Sequence, residues 1–121
     1  MGRAIILFAH GARDPEWARP FERLREVLLQ QVPDSDVELA YLELMQPDLM
    51  EAAGRLVARG AKTISVAPVF MAQGGHLKRD LPQRVEAARA QYPGVSFELQ
   101  AAIGESPAVL EAMAREIGRL A

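Results

Sequence analysis

Cysteine is absent from the 121 residues of this chain. Its absence excludes disulfide frameworks, thiolate zinc sites, iron–sulfur clusters and cysteine nucleophiles. The chemistry of this protein therefore has to be sought in other side chains.

An excess of charge of one sign and long apolar runs are also missing. The net charge of -2 gives no electrostatic support for a nucleic-acid partner. No apolar run approaches the roughly 20 residues that span a bilayer. The first three residues lead into a short strand-like run and lack the long apolar region of a signal peptide. We therefore expect a cytoplasmic protein with neither a nucleic-acid nor a membrane partner.

Several common catalytic and cofactor motifs are not present. The turn after the first apolar run is neither G-x-G-x-x-G nor a P-loop, so the motifs that usually indicate binding of a dinucleotide or a nucleoside triphosphate are absent. The absence of G-x-S-x-G argues against a serine hydrolase. Phosphohistidine enzymes usually have Arg-His-Gly after the first strand, whereas here Ala9 precedes His10. We expect no organic cofactor.

The composition itself is that of an ordinary globular protein. Half of the residues are hydrophobic and a quarter are charged, which is typical of a globular domain. The length suits one domain, and we assign residues 1–121 to it. A chain of this size buries roughly two-thirds of its unfolded surface, so it needs no metal or disulfide to fold.

Strand-like and helix-like segments alternate four times. Apolar runs predict strands at 4–9, 37–42, 63–67 and 95–99. Helical spacing and capping signals predict helices at 16–31, 47–59 and 81–92, and from Pro107, capped by Ser106, to about Leu120. Pro47 is expected in the first turn of the second helix, and Gly60 at its C-terminal cap. This order indicates an α/β fold of three layers, α/β/α, around a four-stranded parallel sheet of flavodoxin-like order 2-1-3-4.

The only two histidines are predicted at the same edge of this sheet. Ligands of open parallel sheets bind at the carboxyl ends of the strands, where the strand order reverses. With order 2-1-3-4 that point lies between strands 1 and 3, whose following loops carry His10 and His76. The loop after strand 2 carries Glu43. Two imidazoles and a carboxylate in one cleft suit a borderline divalent metal, and they can accept protons near neutral pH.

Each of these residues also has an ordinary structural interpretation. A histidine at a strand end is often only hydrogen-bonded, and Glu43 can cap or solvate the next helix. Gly74 and Gly75 form either a flexible turn or a place where the backbone approaches a flat ligand. Three methionines either fill the core or line a pocket, namely Met45, Met50 and Met71. Three basic side chains are either solvated or pair with substrate carboxylates, namely Arg13, Lys78 and Arg79. Asp14 and Asp80 can pair with those bases or cap helices.

Three sequence motifs together resemble one enzyme family. They are His10-Gly11-Ala12-Arg13-Asp14-Pro15, then Leu42-Glu43-Leu44-Met45-Gln46-Pro47, and then Gly74-Gly75-His76-Leu77-Lys78-Arg79-Asp80-Leu81-Pro82. In this order they are similar to the class II tetrapyrrole chelatases, above all the short sirohydrochlorin cobaltochelatases of the CbiX type and the ferrochelatases of the SirB type. The family's first motif is His-Gly-Ser-Arg, and Ala12 replaces its serine. The second, Gly-x-His-x-x-x-Asp-x-Pro, is matched by Gly74, His76, Asp80 and Pro82.

The resemblance implies a chelatase-like domain that inserts Co²⁺, or else Fe²⁺ or Ni²⁺, into sirohydrochlorin for cobalamin or siroheme synthesis. The metal, which is a substrate, would be held by His10 and His76, with Glu43 nearby as a catalytic group. Arg13, Gly74 and Gly75 would contact the tetrapyrrole. Longer relatives carry two such domains in one chain, so the resemblance implies that this short form assembles as a homodimer.

The mechanism that we expect gives the histidines two tasks. His10 and His76 hold the ion above the ring, one of them accepts a pyrrole proton, and Glu43 acts as a second base or a charge-balancing ligand. Two rivals stay open at this point. A non-catalytic carrier of metal or tetrapyrrole would use the same residues, and phosphoryl transfer through His10 would not need His76 as a ligand.

Overall fold

Four strands alternate with four α-helices along residues 2–121, the part of the chain that the computed structural model describes. The strands are β1 (Arg3–Ala9), β2 (Asp36–Tyr41), β3 (Thr63–Pro68) and β4 (Ser96–Leu99). The helices are α1 (Arg19–Gln31), α2 (Leu49–Ala58), α3 (Gly75–Gln91) and α4 (Pro107–Gly118), and 3₁₀ turns precede α1 (Pro15–Ala18) and α4 (Ile103–Glu105). None of the helices in this range is long and apolar enough to cross a bilayer.

The four strands form one parallel sheet in the order β2-β1-β3-β4. Ala4 of β1 lies opposite Ile64 of β3, and Phe8 lies opposite Ala40 of β2. The predicted α/β class and strand order are therefore confirmed. The carboxyl ends of β1 and β3 are neighbours, as the prediction of a ligand site at that edge requires.

The main hydrophobic core lies between one face of the sheet and helices α2 and α3. Ile6, Phe8, Ile64 and Val66 point to this face and are fully buried. They pack against buried side chains of the two helices, among them Leu56, Leu81, Val85 and Ala88. Alternate strand residues face the opposite side, where Ala9 and Tyr41 pack with Trp17 of the first 3₁₀ turn and with Phe21 of α1.

The start of α3 differs from the prediction. The helix begins at Gly75 and not at Leu81, so it contains His76 and Pro82. Leu77, Leu81 and Val85 share one face and are all buried against the core. Burial of this face offsets the cost of a proline inside a helix, about 3 kcal/mol. His76 therefore lies on the first turn of a helix and not in a loop.

The start of α2 also differs from the prediction. Helix α2 begins at Leu49, and Asp48 is its N-cap residue. The Asp48 carboxylate accepts from the Glu51 backbone N–H at 2.8 Å, and the Glu51 carboxylate accepts from the Asp48 backbone N–H at 3.0 Å, which completes a capping box. Pro47 therefore lies before the helix and not in its first turn. Gly60, at φ +100°, follows α2 as predicted for a helix end.

Candidate functional site

The loops after β1 and β2 are joined at the carboxyl edge of the sheet. The backbone N–H of Leu42 donates to the carbonyl of Ala9 at 2.9 Å, and that of Glu43 donates to the carbonyl of His10 at 3.2 Å. These bonds continue the pairing of the two strands by two residues. They fix the backbones of His10 and Glu43 next to each other, in agreement with the predicted edge.

Gly11 is required by this junction. Its φ is +93°, and a Cβ at this position would lie 1.9 Å from the carbonyl oxygen of Glu43. A side chain would therefore force the two loops apart as well as strain the backbone. The sequence reasoning did not single out Gly11 as a steric requirement, although its place directly after the strand-end His10 was the available signal.

The imidazole of His10 is exposed and packs against an aromatic side chain. Its ring lies edge-to-face with Phe70, 5.7 Å between centroids at 72°, and Phe70 lies edge-to-face with buried Phe8 at 6.1 Å. Such contacts stabilise a ring orientation by about 0.5–1.5 kcal/mol. His10 is thus supported on one side by the core and is open to a ligand from solvent. Phe70 was not among the predicted site residues.

His76 and the two glycines before it lie at the beginning of α3. His76 is exposed, and Gly74 is the N-cap residue with extended backbone. A Cβ at Gly74 or Gly75 would meet no atom within 4 Å, and neither residue has a positive φ. Packing within the chain therefore does not require glycine at these positions, so a plain turn into the helix and close approach of a ligand both stay open as reasons for them.

Three cationic side chains near this edge take part in no ion pair within the described range. Arg13, Lys78 and Arg79 are exposed, and the salt bridges among residues 2–121 involve other bases. Asp14 accepts instead from the Glu16 backbone N–H at 2.9 Å, and Asp80 pairs with Arg84 at 2.7 Å. The three cations are accordingly available to an anionic ligand.

The predicted methionine positions divide between core and surface. Met50 and Met45 are partly buried against the two hydrophobic clusters, whereas Met71 is 58% exposed in the loop after β3. Gly104 packs closely against that loop: its N–H donates to the Phe70 carbonyl at 2.8 Å, and a Cβ would lie 2.3 Å from Met71 Cα. The loop after β4 is therefore also held at the site edge.

The potential ligands do not form a compact cage. Within residues 2–121, no group of three or more histidine or acidic side chains is close enough to hold a metal ion. His10 and Glu43 are neighbours through their backbones, and His76 is at the same edge on another element. The structure thus brings these residues to one edge of the sheet without joining them in one cluster.

A buried tyrosine lies just beneath the loops. Tyr41 ends β2 and is 5% exposed. Burial, with a smaller effect of the Glu22 carboxylate, raises the pKa of its hydroxyl group. Tyr41 therefore stays neutral at physiological pH and contributes packing with Trp17, not charge, to this edge.

Comparison with known proteins identifies the family. The sequence model of the CbiX family matches residues 4–120. A sirohydrochlorin cobaltochelatase of Saccharolobus islandicus is 34% identical over 99 residues, which cover 78% of this chain and 76% of that protein.

Two solved structures share the fold as well. A CbiX protein from Marinobacter aquaeolei VT8 superposes with a TM-score of 0.78 at 33% identity, covering 97% of this chain and 98% of that one. The sirohydrochlorin chelatase SirB from Bacillus subtilis subspecies spizizenii, solved in complex with cobalt, has a TM-score of 0.83 at 26% identity. The superposition covers 100% of this chain and 52% of the SirB chain. With its family match over nearly the whole chain, its strand order and its motifs, this chain belongs to the CbiX family.

Proposed function

We propose that this chain is a sirohydrochlorin chelatase, a lyase that inserts a divalent metal ion into the tetrapyrrole ring. The observation that carries the proposal is the pair of exposed histidines at the carboxyl edge, in a chain whose relatives are named sirohydrochlorin cobaltochelatase. Co²⁺ is the metal that these names and the cobalt complex of SirB favour. Fe²⁺ and Ni²⁺ suit the same nitrogen ligands.

Insertion requires that water leave the ion and that two pyrrole N–H groups lose their protons. Neutral imidazoles at His10 and His76 would bind the ion and leave positions open for the ring nitrogens. One imidazole would then accept a pyrrole proton, and the Glu43 carboxylate would serve as the second base or balance the charge. The contact with Phe70 would keep the His10 ring in place while the ion exchanges its ligands.

The substrate ring carries carboxylates, and the site edge carries free cations. Arg13, Lys78 and Arg79 are exposed and unpaired within residues 2–121, so they are available for charge-assisted hydrogen bonds to those groups. The side-chain-free surface at Gly74 and Gly75 would let the ring approach the backbone.

A homodimer would complete the cleft. The chain spans about half of SirB, which it matches along its whole length. A single copy presents one site edge, and the second wall that a flat ring needs would come from a second copy. We place this assembly in the cytoplasm, where the sequence predicted it.

An anaerobic absorbance assay tests the activity. Purified protein is mixed with metal-free sirohydrochlorin and excess Co²⁺, Fe²⁺ or Ni²⁺ in parallel, against protein-free controls. Many turnovers with one ion would establish a chelatase and identify its metal. A change that stops at one ring per site would support a carrier instead. No change with any ion would contradict the chelatase and a carrier of the tetrapyrrole.

A further inference from the structure

Leu44, in the loop after β2, has a backbone conformation that leucine rarely adopts. Its φ is +66°, and among residues 2–121 every other residue with a positive φ is a glycine. In this left-handed region the Cβ of an L-residue crowds the carbonyl oxygen that follows it, so glycine, asparagine and aspartate are the residues usually found there. The turn after Glu43 is therefore formed by a residue that strains it.

The side chain of Leu44 is not buried in the core. It is 58% exposed and lies outside both hydrophobic clusters, whereas Leu42 and Met45 pack against them. Glycine or asparagine would adopt the backbone of this turn with less strain. Strain that persists beside candidate catalytic groups points to a functional use. The leucine side chain therefore has a reason outside the packing of its own chain.

The loop that carries Leu44 is fixed beside two candidate catalytic groups. The backbone N–H of Glu43, the preceding residue, donates to the carbonyl of His10 at 3.2 Å. Glu43 and Leu44 also line the same open cleft, which has a volume of about 480 Å³. Leu44 therefore lies at the carboxyl edge of the sheet, on the β2 side of His10.

A second exposed apolar side chain lies on the other side of His10. Met71, in the loop after β3, is 58% exposed. Its loop is anchored, because Phe70 contacts the His10 ring and the Phe70 carbonyl accepts from the Gly104 N–H at 2.8 Å. The strands follow one another as β2-β1-β3. At a strand spacing of about 4.8 Å, the loops of Leu44 and Met71 are roughly 10 Å apart, with the loop of His10 between them.

A flat tetrapyrrole ring has the chemistry that suits this arrangement. An ion held by His10 enters the centre of the ring, so the ring has to extend to both sides of that imidazole. The faces of the ring are apolar, and its charges are carboxylates at the periphery. Leu44 and Met71 offer apolar surface on both sides of His10. The same edge carries Arg13 and Lys78, which have no ion-pair partner within residues 2–121 and are available to the periphery.

We propose that Leu44 is a specificity-determining residue, which contacts the apolar face of the tetrapyrrole ring on the β2 side of His10, opposite Met71 on the β3 side. This contact rests on the proposed function and deepens it, because it assigns side chains that recognise the ring itself and not its carboxylates. Burial of the leucine under the ring offsets the backbone strain only when the substrate is bound. The free protein is therefore less stable than the loop allows, and the ring binds more tightly.

Two substitutions at Leu44 relieve the strain and remove the apolar contact. Leu44→Gly and Leu44→Asn suit a left-handed backbone, so each should unfold at the temperature of the wild type or above it. Each should raise the Kd for metal-free sirohydrochlorin by roughly 5-fold to 20-fold, the size expected for the loss of a leucine contact. Kd is measured without metal from the change in the fluorescence of the ring, and stability is measured by thermal unfolding.

Leu44→Met is the matched control, because it keeps an apolar side chain of similar volume. Its Kd should stay close to that of the wild type. A role in shaping the turn alone predicts the opposite order, since the glycine and asparagine variants fit the turn best. Wild-type affinity in both Leu44→Gly and Leu44→Asn would overturn the proposal.

Salt distinguishes an apolar contact from an effect on charge. The ratio of Kd between Leu44→Asn and the wild type should be the same at low and high salt, because burial of apolar surface is not screened. A ratio that falls to one at high salt would overturn the proposal. Met71→Gln should also raise Kd, and wild-type affinity in that variant would overturn the contact on the β3 side.

The outcomes separate this contact from the proposed activity. Metal insertion by the wild type, together with unchanged ring affinity in the Leu44 variants, would overturn the contact alone. Loss of ring affinity in Leu44→Asn, with no insertion of any metal by the wild type, would support the contact and count against the chelatase alone. A wild-type chain that does not bind the ring would overturn both.

Discussion

At the amino edge of the sheet, Arg59 from the end of α2 binds two carboxylates of β2. Its Nε and a terminal nitrogen donate to Asp36 at 2.6 and 3.0 Å, and the same nitrogen donates to Glu38 at 2.8 Å. At the carboxyl edge, Arg13, Lys78 and Arg79 have no such partner within residues 2–121, and both histidines are exposed.

The two edges therefore use charge differently. Hydrogen bonds from Arg59 lower the pKa of the Asp36 carboxyl group, and both carboxylates raise the pKa of the guanidinium. These charges are neutralised within the fold and stabilise it modestly, because the pairs are partly exposed. The three cations at the other edge have no ion-pair partner within residues 2–121, so they are available to an anionic ligand. The comparison teaches that charges paired within the fold support its stability, whereas the proposed site relies on charges that the fold does not pair.

The largest expected effect is a loss of insertion activity when the carboxyl edge is mutated, in contrast to a loss of stability when the amino edge is mutated. His10→Ala and His76→Ala should each lose about 10²-fold to 10⁴-fold in insertion rate, as expected for loss of a ligand or base, with thermal stability kept because both side chains are exposed. The rate is followed by absorbance and stability by thermal unfolding. Arg59→Ala is the reciprocal control: it should unfold at lower temperature and keep its rate when folded. Wild-type rates in both histidine variants would contradict the proposed site.

The next effect concerns the junction beneath His10. Gly11→Ala should destabilise the fold by about 2–4 kcal/mol, since it combines a left-handed backbone with a clash against Glu43. Urea unfolding measures the loss. Gly60→Ala has a positive φ and no neighbour within 4 Å, so it should cost only the backbone strain, about 1–2 kcal/mol. Equal losses in the two variants would show that the close contact with Glu43 does not matter.

The glycines before His76 should behave in the opposite way. Gly75→Ala meets no atom of its own chain, and alanine favours a helix by up to about 1 kcal/mol over glycine. Stability should therefore stay equal or rise, while KM for sirohydrochlorin increases if the ring approaches this backbone. Steady-state kinetics beside thermal unfolding give both quantities. An unchanged KM would support the alternative that this segment is only a helix start.

A smaller effect is expected from the free cations. Arg13→Gln or Lys78→Gln should raise KM about twofold to fivefold, the size of an exposed ion pair, and high salt should reduce the difference from wild type. Lys62→Gln, directly before β3 at the amino edge, removes the same charge from an exposed side chain away from this site and should leave KM unchanged. If all three variants behave alike, the carboxylates bind elsewhere.

The smallest effect lies at the amino edge. Asp36→Asn should cost at most about 1 kcal/mol, since the pair with Arg59 is partly exposed. The folded-state pKa of Asp36 lies below its usual 3.8. The stabilisation is thus complete above that value and is lost as the pH falls through the folded-state pKa. Urea unfolding at neutral and acid pH should show wild type and variant converging in acid. A gap that persists at low pH would mean that charge is not its source.

Much of the fold could be predicted because its signals are local. The apolar run at 4–9 and the helical spacing within 16–31 each identify their own element, and right-handed crossovers then restrict the strand order. The start of α3 could not be predicted in this way. Pro82 suggests a boundary by itself, and only the burial of Leu77 and Leu81 on the same face shows that the helix continues across it.

The sequence predicted at which edge of the sheet the candidate site residues lie, but not the contacts that support them. The edge with His10, Glu43 and His76 follows from the strand order, and the exposure of both histidines agrees with it. Their roles as ligand and base, the single domain, the cytoplasmic location and the lack of an organic cofactor stay predictions. The supports of the site, Gly11 and Phe70, come from separate segments that meet only in the folded chain.

The sequence by itself determined the alternation of strands and helices, the strand order and the edge at which both histidines lie, because each depends on local periodicity and on the handedness of the chain. Only the tertiary structure decided which charges are paired and which glycines have no room for a side chain. Those features depend on atoms far apart in sequence, and the free energy of burying or pairing them appears only when the segments come together.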